Sequence, residues 1–345
     1  MKINDVFFQN SNLLSSMNDS SGFFLFSNFK KDCLVNAIRL GFMLGFYEGI
    51  DYGIESITGD PNKVTLRMEI LTRKGLYTYI DQGFERKDFR HSINKIQMNI
   101  GDNLKITQVG NNKIEWMTKD KSGKLDVNLK LKMGQFHLYP SLVMPNNFSN
   151  MAVSPGVKVS GEIFIDGSKY KVDGLGALDQ YWSRKIKSDS AKKYGYSHYE
   201  PIMWNEKFTS VLYYIVSSNK EVYLRDLLLS IEGEKLKRLE EINIEYLDYK
   251  ESGGSFSPAN YIVSVKDNNV EIEYEVKIIP RDKILTLGYP EELLKSWVPD
   301  MPLISAKGVI REKGKNNINV TKINGKGILE FLLVGHNPFR SAKEI

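Results

Sequence analysis

A single cysteine, Cys33, stands in a chain of 345 residues. One thiol excludes any intrachain disulfide and suits a reducing compartment, so the protein is expected in the cytoplasm. Cys33 itself reads as a small apolar packing group rather than a nucleophile. Histidine is also scarce: His91, His137, His198 and His336 are the four present. No two of them have the i, i+4 helical spacing or the cysteine company of a metal site, so no metal is expected. There is no glycine-rich phosphate loop between a strand and a helix, and no Gly-x-Ser-x-Gly elbow; neither a nucleotide cofactor nor an acyl-transfer serine is indicated. No stretch approaches the ~20 apolar residues that would cross a bilayer. The N-terminus lacks the charged start and unbroken apolar core of a secretion signal. The net charge of +5 is spread along the chain and leaves no footprint for a nucleic acid. Chemistry, if any, must come from side chains alone, without a cofactor.

What is abundant is β-strand pattern. From Lys63 onward Val64–Leu71, Gly75–Phe84, Lys95–Ile100, Leu104–Val109, Lys113–Met117 and Leu125–Leu131 alternate apolar and polar residues. Turn chemistry such as Gly101-Asp102-Asn103 and Gly110-Asn111-Asn112 separates them. Short strands at this spacing imply a meander closing into a barrel or sandwich, which also hides the sheet edges. Between Gly134 and Gly156 the pattern lapses around Pro140, Pro145 and Pro155, and the domain connection is placed there. The β pattern then resumes to about Leu333. The expected organisation is an N-terminal arm over 1–28, packing on the body through Val6–Phe8 and Phe23–Phe26, then β domains over 29–150 and 151–345. Glu291–Trp297, between Pro290 and Pro299, is the one helix-like turn.

The densest polar-aromatic cluster lies in Gly161–Arg184. Ile163 and Ile165 alternate, Asp166-Gly167 makes a tight hairpin turn, and Tyr170 and Val172 resume the strand. Gly174-Leu175-Gly176 allows a sharp bend or a close backbone approach. Asp179, Gln180, Tyr181, Trp182 and Arg184 follow at once. This corner can be structural, with Asp179 capping a turn or pairing with Arg184 and Trp182 plugging a barrel. It can also be a site. Two aromatic runs offer further lining: Phe136-His137-Leu138-Tyr139, and Tyr194–Tyr199 with Tyr196 and His198, followed by Trp204. With 18 Tyr, 17 Phe and 4 Trp, aromatic groups suffice to line an apolar pocket.

The pattern Gly161-x-Ile163…Asp166-Gly167…Tyr170-x-Val172-x-Gly174-x-Gly176-x-x-Asp179-x-x-Trp182 resembles the signature of the lipocalin-like carotenoid hydratase superfamily. That superfamily includes hydroxyneurosporene synthases, AttH-like proteins and lipocalin-like Diels–Alderases. Gly325-Lys326-Gly327-Ile328-Leu329-Glu330 resembles its closing strand. Many relatives carry Asp-His-x-Trp, and here Gln180 takes the histidine position. The resemblance implies an all-β fold of two tandem lipocalin-like antiparallel barrel or sandwich domains. It implies an enzyme acting without a cofactor on a hydrophobic unsaturated small molecule, a polyene, polyketide or isoprenoid. Asp179, Gln180 and His198 are the catalytic candidates; Tyr181, Trp182, Tyr196, Trp204, His137 and Tyr139 are the binding candidates. Hydration needs an acid such as a buried Asp179, and glutamine does not titrate. Cyclisation of the Diels–Alder type needs shape and one or two hydrogen bonds. Cyclisation or isomerisation is therefore placed ahead of hydration, and a lipophile carrier remains the reading from another class.

Overall fold

The computed structural model describes residues 20–30, 32–44, 63–91, 96–144, 147–183, 194–205, 207–217, 222–231, 236–252, 255–278, 303–314 and 317–333. These form strands almost throughout, with one 3-10 turn at Arg86–Asp88. The Glu291–Trp297 turn lies outside the described residues. In chain order the first twelve strands are β1 (Ser20–Phe29), β2 (Val35–Leu44), β3 (Lys63–Thr72), β4 (Gly75–Glu85), β5 (Phe89–His91), β6 (Gln97–Ile100), β7 (Leu104–Gly110), β8 (Lys113–Lys119), β9 (Leu125–Lys132), β10 (His137–Met144), β11 (Asn147–Ile165) and β12 (Ser168–Ser183). The rest are β13 (Tyr194–Met203), β14 (Phe208–Ser217), β15 (Val222–Ile231), β16 (Lys237–Leu239), β17 (Glu241–Ser252), β18 (Ser255–Lys266), β19 (Val270–Ile278), β20 (Leu303–Lys313), β21 (Ile318–Ile328) and β22 (Glu330–Leu333).

Two antiparallel sheets account for them. The first runs β4-β3-β2-β1-β12-β11-β9-β8-β7-β6-β5, with β10 on β11. The second runs β16-β15-β14-β13-β21-β20-β19-β18-β17, with β22 on β13. In the second, the edge strands β16 and β17 are separated by Glu240 alone, so that sheet curls almost into a closed barrel. The fold is all-β, with two lipocalin-like halves. The chain divides into two compact units, the first holding β1–β9, β11 and β12 and the second the strands from β13 on.

The long meander from β3 to β9 follows the sequence alternation. β9 alternates strictly, with Leu125, Val127, Leu129 and Leu131 inside and Asp126, Asn128 and Lys130 between them on the outer face. Trp116, Phe23 and Phe42 fill the first core together with Leu40, Leu66 and Ile106. The rings of Phe23 and Trp116 stack at 5.5 Å.

Three expectations are revised by the pairing. Phe23–Phe26 is no part of a covering arm: it lies in β1, hydrogen-bonded to β2 on one side and β12 on the other. Phe23 and Leu25 face the core cluster, while Phe24 and Phe26 are buried on the opposite face. A strand buried on both faces is apolar at every position and loses its period-two signature. Residues 137–144 and 147–165, expected as a connection and the opening of a second domain, form β10 and β11 of the first sheet. The break at Pro155 is a bulge: the register slips between Pro155 and Val157, with Gly156 at φ 76°. A proline lacks the N–H a ladder needs, and a bulge accommodates it. The first sheet thus continues to Ser183, beyond the boundary placed at 150.

The glycine corner is needed for close approach. Neither Gly174 nor Gly176 lies in the left-handed region, whereas the Asp166-Gly167 turn does, at φ 49° and 79°. A Cβ on Gly174 would stand 2.1 Å from the Asn28 carbonyl oxygen, and one on Gly176 2.0 Å from that of Phe26. Both glycines let β12 lie against β1, the strand that joins the chain's beginning to its middle.

The edge strand β4 is tied to the β8–β9 turn by side chains. Lys121 Nζ meets Asp81 Oδ2 at 2.6 Å and lies 4.4 Å from the centre of the Phe84 ring, while its backbone N–H donates to Tyr79 Oη. Burial alone would raise the Asp81 carboxyl. The bonds from Lys121, the Gly83 N–H and Tyr79 outweigh it and hold the group below 3.8. A depressed carboxyl adds stability that is present above the unfolded value and is lost as pH falls through the folded one. The stability difference between native protein and Asp81→Asn, measured by thermal melts, should therefore shrink once pH drops below 3.8. A difference that stays constant from neutral pH to acid would refute the clasp.

Candidate active site

Strand parity builds the site. On β13, His198, Glu200 and Ile202 point to one side, and Ile202 with Trp204 just beyond lies in the second unit's core. That alternation carries an imidazole and a carboxylate into the barrel interior, where both are fully buried at 0% exposure. Neither is tolerable there unpartnered, since an isolated buried charge is strongly disfavoured.

Partners arrive from three other strands. Tyr261 on β18 donates to Glu200 Oε2, and Tyr274 on β19 donates to Oε1 at 2.8 Å. His198 Nε2 lies 3.2 Å from Glu200 Oε2, and its Nδ1 lies 3.3 Å from the hydroxyl of Tyr246 on β17. The Tyr261 ring packs edge-on against His198 at 5.2 Å. Deeper in, the Trp204 N–H donates to Ser210 Oγ at 2.9 Å and its ring stands edge-on to Tyr274 at 4.8 Å.

The electrostatics assign the protons. Burial first, then the charge and hydrogen bond of Glu200, push the hydroxyls of Tyr261 and Tyr274 well above 10. They keep their protons and donate. Glu200 therefore accepts at both oxygens; in the tautomer of neutral His198 that carries its proton on Nε2, that proton is directed at Oε2 and Nδ1 accepts from Tyr246. A hydroxyl, an imidazole and a carboxylate in series can pass a proton along their length.

The candidates read from sequence are divided by this arrangement. His198 is in the cluster, and Trp204 packs on it through Tyr274. Tyr196 shares β13 with His198. His137 and Tyr139 lie on β10, and Tyr181 and Trp182 lie near the end of β12. Asp179 and Gln180 are neighbours on β12 and so face opposite ways. Gln180 lies across from Phe23 and Ala152 and is buried with the first core. Asp179, half-buried, lies across from Phe24 and Val153 on the other face. Along that face Arg39 covers the Phe24 and Phe26 rings at 5.2 and 5.5 Å and pairs with Glu69 at 3.3 Å.

Sequence reasoning missed Glu200, Tyr246, Tyr261 and Tyr274. One signal was available: His-x-Glu-x-Ile-x-Trp from 198 to 204 places a charge in step with residues that face a core.

An open groove of about 1060 Å³ lies on the first unit, lined among others by Glu115, Met117, Lys130, Lys171 and Asp173. Its lining includes none of the candidates from sequence. Charges of both signs border it, some paired, as Lys169 is with Glu162 at 2.6 Å. It does not suit an apolar ligand.

Among the described residues no three metal-ligating side chains converge, and no helix is long and apolar enough to cross a membrane. No protein-family model and no curated protein sequence matches the chain. Solved structures do. Kievitone hydratase from Nectria haematococca superposes with a TM-score of 0.59 at 11% identity, over 97% of this chain and 95% of that one. The chain has the lipocalin-like fold of the AttH type. An AttH-type protein from Nitrosomonas europaea matches that fold at a TM-score of 0.57 and 11% identity, over 92% of both chains. CghA, crystallised with Sch210972, matches at 0.54 and 9% identity, over 92% of this chain and 89% of its own. At such identities the two-domain AttH-type fold is what is shared.

Proposed function

We propose that the protein is an enzyme that moves protons on a hydrophobic unsaturated small molecule, and that it adds water to a double bond. The observation that carries this reading is the His198–Glu200 pair, fully buried and braced by Tyr261 and Tyr274. As packing, such a cluster is a poor choice, because well-fitted apolar residues often stabilise a core as well or better. Perturbed ionisable groups concentrate at functional sites. The likeness in fold to a protein named as a hydratase points the same way. Cyclisation ranks ahead of hydration only so long as Gln180 stands where an acid is wanted. The groups on β13 provide the proton-handling capacity that Gln180 lacks, whereas shape-driven cyclisation has no use for them.

Hydration consumes no proton overall. Water loses one to a base, its oxygen bonds to one alkene carbon, and the other carbon receives a proton. A pair that lends and recovers one proton is sufficient.

The test uses organic extracts of the source cells, incubated with native protein and with Glu200→Gln, each confirmed folded by circular dichroism. Native protein should produce a compound heavier by one water. The variant should produce it ~10²-fold more slowly or worse, the usual scale for a positioned proton-transfer group. Extracted compounds that bind without changing mass would instead identify a carrier, and equal rates would remove Glu200 from the chemistry.

A further inference from the structure

We propose that the Tyr246 hydroxyl is the group that meets the substrate, driven by His198 and Glu200 behind it, and that the double bond it acts on is conjugated to a carbonyl. This rests on the proton-transfer reading above.

Of the three groups in series, His198 and Glu200 are sealed in, while Tyr246 is only half-buried at the edge of the second core. Its strand is irregular at that point. The pairing of β17 with β18 slips between Tyr246 and Asp248 and again between Asp248 and Tyr249. Bulges of this kind sit beside active sites and re-aim side chains. On the far side of Glu200, Tyr261 and Tyr274 hold their protons and close the inner end. Tyr214 on β14 lies across from His198 in register. The Tyr246 hydroxyl, 3.3 Å from Nδ1, offers a proton leaving Glu200 and His198 an outward route. The order hydroxyl, imidazole, carboxylate matches the logic by which a base activates a hydroxyl and a third group steadies the resulting imidazolium.

The acidity of a phenol then restricts the substrate. An unperturbed tyrosine has a pKa near ~10, far too weak an acid to protonate an isolated alkene. It is strong enough to protonate the carbon of an enolate. In the step inferred, water gives a proton to Tyr246 Oη as the tyrosine's own proton passes to His198 Nδ1. The water oxygen bonds to the β carbon, and the alkene electron pair shifts to leave an enolate. The α carbon then takes the proton from Tyr246 Oη while Nδ1 returns its own. One water is consumed, and the enzyme ends as it began.

Two readouts test this. The first needs no hydration: exchange of the α hydrogens of dihydrochalcone with D2O, followed by NMR, which is the reverse of the protonation of the α carbon by Tyr246. Tyr246→Phe should slow exchange at least ~10-fold, a modest part of the ~10²–10⁴ that a positioned proton-transfer group contributes. Exchange at the native rate in a folded Tyr246→Phe overturns the relay. The second readout is water addition to trans-chalcone, whose alkene is conjugated to a carbonyl, and to squalene, whose alkenes are isolated. Native protein should hydrate chalcone, Tyr246→Phe ~10²-fold more slowly, and squalene should not react. Hydration of squalene overturns the substrate class. Slowed exchange with no water adduct from the native protein leaves the relay standing and sinks the hydration reading. Equal hydration by Tyr246→Phe leaves hydration standing and sinks this inference.

Discussion

Glu200→Leu is expected to lower the melting temperature by about 10 °C or more, the consequence of roughly 3–5 kcal/mol lost when one partner of a buried network is removed. The leucine leaves the hydroxyls of Tyr261 and Tyr274 and the Nε2 proton of His198 with no acceptor, inside a barrel that water does not reach. Each orphaned buried donor costs ~1–3 kcal/mol. A second variant separates stability from function. Replacing the whole set, Glu200→Leu with His198→Leu, Tyr261→Phe and Tyr274→Phe, removes donors and acceptor together and should recover most of the lost stability. It should have no activity. If it melts as low as the single variant, packing volume and not hydrogen bonding sets the effect. If it retains turnover, the cluster serves the fold alone.

Gly176→Ala is expected to be the next most damaging change, at ~3 kcal/mol or more, because backbone and not a pliable side chain is in the way. The new methyl would meet the Phe26 carbonyl oxygen at 2.0 Å, with Phe26 C and Ser27 Cα at 3.0 Å. Relief requires β1 and β12 to part, and that seam runs from Ser20–Ser183 to Phe29–Gly174. Gly101→Ala is the control. Gly101 sits at φ 48° with nothing within 4 Å, so alanine there meets only conformational strain, ~1 kcal/mol. Urea unfolding of the two variants should give a clearly larger loss for Gly176. A larger loss for Gly101 would show that strain, not the seam, governs these glycines.

How far these features could be read beforehand differs from one to the next for physical reasons. Leu125–Leu131 announces β9 because one face meets the core and the other meets solvent, and the Asp166-Gly167 turn announces itself through its backbone angles. The Phe23–Phe26 run gave no such signal, since both faces of β1 are buried and alternation vanishes. Pro155 read as part of the connection between domains and lies at a bulge within β11. In the candidate site, His198 and Trp204 stood out by type. Glu200 did not, because its meaning depends on Tyr261 and Tyr274, 61 and 74 residues further on, and the link from His198 to Tyr246 spans 48.

By itself, then, the sequence determined the class of the fold, the meander and the tight turns, all governed by neighbours a few residues apart. It also named His198 among its catalytic candidates, beside Asp179 and Gln180. Only the tertiary structure decided which carboxylate: adjacent residues on β12 send Asp179 and Gln180 to opposite faces, while the closing of the second sheet gathers four strands around Glu200. The reason is physical. Local conformation is set by short-range sterics and hydrogen bonds, whereas a buried ionisable group takes its character from whatever distant side chains the sheet's curvature brings within ~3 Å of it.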